Sequence, residues 1–174
     1  MQARRKIGLL GGTFDPPHKG HLNIAKEALQ QLALDEVWLI PTYEPPHKEG
    51  AATSGCDRLK MVERMIEPYD CLKVKSIELE RKGKSYTIDT INTLKKRYPN
   101  VSFYFIIGAD QVNTLDQWYR IEDLVKKVTF VGVERPGVLW EEKLPVQKIQ
   151  AIHMDVSSTE IRQKIKEAKS VDGL

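Results

Sequence analysis

The stretch "GGTFDPPHKGH", Gly11 to His21, holds three glycines, two adjacent prolines, an acid, a lysine and two of the chain's four histidines. Glycine has no Cβ, so Gly11 and Gly12 can let the backbone pass close to a ligand or take a positive φ. The loop runs into a helix expected to start near Gly20, whose first N–H groups are unpaired. Such a helix end carries roughly half a positive charge and is a natural seat for phosphate. The spacing fits neither common phosphate fingerprint. There is no G-x-x-x-x-G-K-S/T, and "GLLGGTFDPPHKG" does not satisfy G-x-G-x-x-G. A P-loop ATPase and an ordinary dinucleotide-binding dehydrogenase are set aside on that ground.

His18 and His21, three apart at a helix start, can point towards one spot. Three readings stay open. As phosphate ligands, imidazoles beside a polyphosphate should have their pKa raised above about 6.5. As metal ligands they need a third and usually a fourth partner, which no Cys or His motif supplies. In the structural reading one caps the helix and the other packs.

The elements that must hold this loop follow from periodicity. "KIGLL" (6–10) is expected as a short buried strand. "HLNIAKEALQQLAL" (21–34) is expected as a helix whose Leu22, Ala25, Leu29, Leu32 and Ala33 face a sheet. "EVWLIPT" (36–42) is the second strand, ended by "PTYEPPHKEG", and a helix covers 57–67 before Pro68. "LKVKSIELE" (72–80) alternates apolar and polar residues as an edge strand does. "SYTIDTINTLKKRY" (85–98) is a helix opened by a capping serine. "VSFYFIIGAD" (101–110) is the most continuous apolar run and so the central strand. A short helix near 120–127, strands at 128–135 and 148–154, and a final helix at 157–168 complete the chain. Repeated strand–helix–strand order implies an α/β, doubly wound parallel sheet with helices on both faces. Ligands then bind beyond the carboxyl ends of the strands, where "GGTFDPPHKGH", "PTYEPPHK", "GAD" and "VERPG" all fall.

A chain of 174 residues with 41% apolar residues is expected to form one domain, 1–174, with a real core. No run of about 18 apolar residues is present, so no membrane span is expected. The apolar run before Gly11 is too short for a signal peptide, which places the protein in the cytoplasm. A net charge of +3 suits phosphate-bearing small molecules and falls short of a nucleic-acid footprint. Cys56 and Cys71 form no C-x-x-C pair and read as buried or idle thiols.

The loop resembles the (H/T)-x-G-H signature of the nucleotidyltransferase superfamily, whose fold is Rossmann-like. "SSTEIR" (157–162) resembles its second signature. "PPHK" (45–48), "SYTIDT" (85–90), "FIIGAD" (105–110) and "QWYRIEDL" (117–124) are similar to the bacterial nicotinate mononucleotide adenylyltransferases. The resemblance implies that ATP and nicotinate mononucleotide give the deamido dinucleotide and pyrophosphate. It needs no protein nucleophile, and implies Mg2+ carried on ATP with no metal site of the protein's own. It implies that Gly11, Gly12, Thr13 and Phe14 admit the two nucleotides, with core packing the other reading of Phe14. His18, His21 and Arg162 would act at the phosphates, His21 foremost, while Asp15 orients the loop.

Lys48 and His18 would meet the mononucleotide phosphate; Ser157, Ser158 and Thr159 present hydroxyls and N–H groups to ATP. Gly108 and Asp110 would meet the adenosine, with Arg135 a further ATP candidate. The family places Trp118 under the nicotinate ring and the N–H groups of Thr87 and Tyr119 at its carboxylate; Asp89 would steady the loop. Without the family, Trp118 reads as a partly buried core residue. The resemblance departs at the end, where family members continue through a "YLVP"-like segment and a further helix, whereas "EAKSVDGL" closes this sequence. A homo-oligomer is compatible with it. Rival readings are another adenylyl- or cytidylyltransferase, with nicotinamide mononucleotide or phosphopantetheine as acceptor, and a non-catalytic nucleotide-binding module.

Overall fold

A computed structural model describes residues 4–14, 16–42, 54–81, 86–141, 143–151 and 158–166. The side chains of Arg81, Ser158, Thr159, Lys164 and Lys166 lie outside that description. The strands are β1 (Arg5–Gly12), β2 (Glu36–Pro41), β3 (Leu72–Val74), β4 (Val101–Gly108), β5 (Thr129–Glu134) and β6 (Val146–Gln150). They form one parallel sheet in the order β3-β2-β1-β4-β5-β6. The helices are α1 (Lys19–Gln31), α2 (Gly55–Ile66), α3 (Ile77–Arg81), α4 (Thr87–Arg97), α5 (Ala109–Val112), α6 (Ile121–Lys127) and α7 (Ser158–Lys166).

Side chains alternate across each strand, so the sheet feeds two cores. Ile7, Leu9, Trp38, Ile40, Phe103 and Ile107 pack with Ile88, Ile91 and Leu94 of α4 and Leu124 of α6. Leu10, Val37, Leu39, Ile106 and Val131 pack on the other face with Ala25 and Ala28 of α1 and Val62 and Ile66 of α2. The doubly wound expectation is met, and "VSFYFIIG" lies beside β1 in the centre of the sheet. From β1 the chain winds outward to β2 and β3, then returns to β4 on the opposite side. The loops leaving β1 and β4 therefore part at the switch point, where an open sheet leaves its crevice.

One expectation fails in part. "LKVKSIELE" is not a strand throughout: pairing stops at Val74, and Ile77–Arg81 coils into α3. Helical turns suit this segment better because they bury Ile77 beside Ile88 and Ile91. They also bring Glu78 to accept the buried Thr90 hydroxyl at 3.1 Å. Helix α4 is capped by Tyr86 without a side-chain bond, not by a serine. Both cysteines are exposed free thiols. The last strand lies at Val146–Gln150, and the later part of the expected 148–154 strand falls outside the described residues. At the far edge, the Gln31 side chain bonds both main-chain groups of Gln150, donating to its carbonyl at 2.5 Å and accepting its N–H at 3.1 Å.

The least expected core residue is Arg58 of α2, 1% exposed. Its guanidinium donates to the carbonyls of Thr13 at 2.8 Å and Thr42 at 2.5 Å. The Thr42 N–H in turn donates to the Gly12 carbonyl at 2.9 Å. Arg58 thus ties the loop after β1 to the loop after β2. Replacing it with methionine leaves two inward carbonyls without their donor, each costing on the order of 1–3 kcal/mol. Arg58→Met should lower the thermal midpoint by at least about 5 °C. An unchanged midpoint in a calorimetric scan would remove Arg58 from this role.

Candidate active site

The loop after β1 is built around a reciprocal bond between two imidazoles. His18 is the N-cap of α1, with extended backbone at φ −147 and ψ 177. Its Nδ1 accepts the Gly20 N–H at 3.1 Å, and Nδ1 of His21 accepts the His18 N–H at 3.0 Å. The rings stack with centroids 3.8 Å and planes 28° apart. This is a capping box with imidazoles in both positions. Because each Nδ1 is an acceptor, the neutral ring carries its proton on Nε2. The helix cap therefore fixes the tautomer and leaves an Nε2–H donor on each histidine. Capping and phosphate binding, separate readings of the sequence, are here compatible uses of different nitrogens.

Burial lowers the pKa of His18. It lowers that of His21 more, to about 3, with the charge of His18 adding to the effect. This is opposite to the rise expected beside a polyphosphate: desolvation sets the sign in the protein alone, while an anion acts the other way.

Phe14 supports the pair from beneath. Its ring is 1% exposed and meets His21 edge-on, with centroids 4.8 Å and planes 75° apart. The core-packing reading of Phe14 holds. Its φ of 51 puts it in the left-handed region, which neither Gly11 nor Gly12 enters. Those glycines are the last residues of β1, and a Cβ on Gly12 would come 3.4 Å from the Phe14 ring. Gly12 thus gives room and not unusual dihedrals.

Across the switch point, Gly108 ends β4, and nothing lies within 4 Å of where its Cβ would be. Asp110 and Arg135 leave different strands and meet in an exposed ion pair of 3.0 Å. Trp118 follows a 3-10 turn at Leu115–Gln117 and is half-buried. It stands edge-on to Phe105 and to Phe130, each at 5.9 Å. The core reading of Trp118 is accurate in part: the indole packs against the core and is half-buried. Thr87 opens α4 and Asp89 lies exposed in its first turn. The exposed rings of Tyr86 and Tyr119 meet at 4.6 Å.

Arg162 is half-buried, one turn into α7. Lys48, Asp15 and Ser157 lie outside the described residues, as do the side chains of Ser158 and Thr159. Among the described residues no group of three or more His, Cys, Asp and Glu could cage a metal. The residue missed in the sequence is Arg58. Its signal was present: Arg58, Val62 and Ile66 recur every four residues, on the buried face of α2.

Residues 9–164 match the cytidylyltransferase-like family model. The chain is 48% identical over 171 residues to the probable nicotinate-nucleotide adenylyltransferase of Bacillus pumilus, covering 98% of this chain and 90% of that one. It is 44% identical over 171 residues to the nicotinate-nucleotide adenylyltransferase of Bacillus subtilis, with the same shares covered. Among solved structures it resembles the nicotinic acid mononucleotide adenylyltransferase of Plasmodium falciparum complexed with NaAD. The TM-score is 0.80 at 22% identity, over 97% of this chain and 87% of that one. A putative nicotinate-nucleotide adenylyltransferase from Vibrio parahaemolyticus gives a TM-score of 0.72 at 22% identity, over 97% and 91%. The fold, the order of the loops and the identity along almost the whole length agree: this chain belongs to the nicotinate-nucleotide adenylyltransferase family.

Proposed function

We infer that the protein joins ATP and nicotinate mononucleotide into nicotinate adenine dinucleotide, a step of NAD biosynthesis, and releases pyrophosphate. The observation that carries this reading is the pair of stacked, partly buried imidazoles with their Nδ1 atoms held by backbone. An oxygen of the mononucleotide's 5′-phosphate attacks the α-phosphorus of ATP, and the bond to the bridging oxygen of pyrophosphate breaks. The attacking phosphate is already an anion, so no serine, cysteine or general base is required. What the chain supplies is alignment and donors placed where charge builds.

His21 Nε2–H serves the transferring α-phosphate, and His18 Nε2–H the mononucleotide phosphate together with Lys48. Thr13 and the end of β1 lie between the two nucleotides. Ser157, Ser158, Thr159 and Arg162 take the outer phosphates of ATP, with Arg162 forming a forked contact. Gly108, Asp110 and Arg135 receive the adenosine. The indole of Trp118 lies under the pyridinium ring, a favourable cation–π contact. The N–H groups of Thr87 and Tyr119 receive the ring carboxylate, and Asp89 steadies the loop before α4. ATP would carry Mg2+, whose charge would offset that of the phosphates. The reaction uses two small molecules and calls on neither nucleic acid nor membrane, and we place it in the cytoplasm.

A panel of acceptors with labelled ATP tests the reading. Nicotinate mononucleotide should yield the deamido dinucleotide with the highest kcat/KM, nicotinamide mononucleotide less, and phosphopantetheine nothing. No product from nicotinate mononucleotide would sink it. His21→Ala should lower kcat by at least about a hundredfold, the scale of losing one preorganised donor; near-normal turnover would contradict the role. Asparagine is a good N-cap. His18→Asn should therefore hold the thermal midpoint within about 2 °C while kcat/KM falls at least about tenfold.

The folded-state pKa of His21 lies below its ordinary 6.5. Its contribution to stability is whole above pH 6.5 and is lost as pH falls from there towards about 3. In NMR of the protein alone, the His21 ring should stay neutral down to about pH 5. A midpoint near the ordinary value would contradict the burial described for it.

A further inference from the structure

The two N–H groups assigned to the nicotinate carboxylate come from segments distant in sequence. Thr87 is the first residue of α4, where an N–H has no intrahelical partner. Tyr119 precedes Arg120, the N-cap of α6, so its N–H also lies outside any helical ladder. Chain connectivity alone does not fix their separation. A ring pair spans the gap. Tyr86, immediately before Thr87, lies with its centroid 4.6 Å from that of Tyr119, the planes 39° apart. Both are surface residues, 39% and 55% exposed, so burial does little to explain their meeting.

Each ring is anchored from behind. The Tyr86 carbonyl accepts the N–H groups of Asp89 and Thr90, which binds it to the first turn of α4. Tyr119 stands between Trp118, seated on Phe105 and Phe130, and Arg120. Arg120 has left-handed backbone at φ 54, and its guanidinium pairs with Asp123 at 2.8 Å. A non-glycine residue in that region is held there by its surroundings.

We propose that the Tyr86–Tyr119 ring pair is a clasp that fixes the spacing of the Thr87 and Tyr119 N–H groups and so sets the preference for a ring carboxylate over a ring carboxamide. The proposal rests on the reading of the nicotinate site given above. A carboxylate has two equivalent acceptor oxygens, so two donors at fixed spacing are both satisfied. A carboxamide has one acceptor and an NH2 group whose hydrogens face the second donor. That mismatch discriminates only while the donors cannot move aside. The clasp supplies the stiffness. Tyr86 is thus a positioning residue, acting through the neighbouring amides.

The test is steady-state kinetics on the full chain with nicotinate and nicotinamide mononucleotides as acceptors. The proteins are the wild type, Tyr86→Ala, Tyr119→Ala, their double variant and Tyr86→Phe. Each single alanine variant should lower the acid-to-amide ratio of kcat/KM by about two- to tenfold, the range of coupling in an aromatic pair. The double variant should lose no more than the larger single loss, because both break one contact. Tyr86→Phe keeps the ring and should keep the ratio. Leucine at either position gives the same readout if an alanine variant is unstable. An unchanged ratio in the folded variants, additive losses, or an equal loss in Tyr86→Phe would overturn the clasp. A wild type that uses both acceptors equally would instead overturn the carboxylate reading. The clasp is then judged by non-additivity in KM for either acceptor, and additive effects there reject it.

Discussion

An imidazole has two nitrogens, and at the mouth of α1 the backbone takes one from each of two rings. His18 Nδ1 holds the Gly20 N–H and His21 Nδ1 holds the His18 N–H. Much else in the site depends on that exchange. It needs extended backbone at His18, the residue that follows Pro16 and Pro17. It needs a floor under His21, and the Phe14 ring provides it. It also needs the loop to sit at a constant height above the sheet. Arg58 sets that height by gripping a carbonyl of this loop and another at the end of β2.

The same exchange determines the electrical character of the site. A surface histidine beside phosphate acts as a ready-made cation. These two are held as neutral donors, because burial disfavours their charged form. A neutral, fixed N–H adds little field to the empty crevice, yet it is strongest where water is excluded and negative charge develops. Under the proposed function, the site would answer to the charge distribution of the reacting phosphates more than it attracts any passing anion.

The fold was legible in the sequence wherever one period dominated. The continuous apolar run of β4 and the amphipathic spacing of α1 and α4 led directly to their places. Residues 77–81 were misread because alternation over "KSIELE" fits a strand and a short helix equally well, and packing of Ile77 against α4 decided between them. The loop histidines were legible as a pair, but spacing could not say which nitrogen faced the backbone. Arg58 shows a different limit. Its position on the apolar face of α2 was readable, yet an arginine there ordinarily implies an edge of the stripe and not its centre. Its partners include two backbone carbonyls, which leave no mark in a sequence. The ring pair of Tyr86 and Tyr119 was hidden for a similar reason, since it joins two loops whose approach only the assembled sheet creates.

Among the described residues, this parallel sheet ends in two strands that each have one side without a neighbouring strand. At β3 the exposed side is only three residues long. At β6 the carboxamide of Gln31, reaching from the last turn of α1, copies the geometry of a peptide group and occupies both main-chain sites of Gln150. A side chain here does the work of a missing strand. Its consequence lies in association between molecules: a foreign strand sliding along this border meets a position already saturated. The glutamine thus guards the sheet against growth along β6.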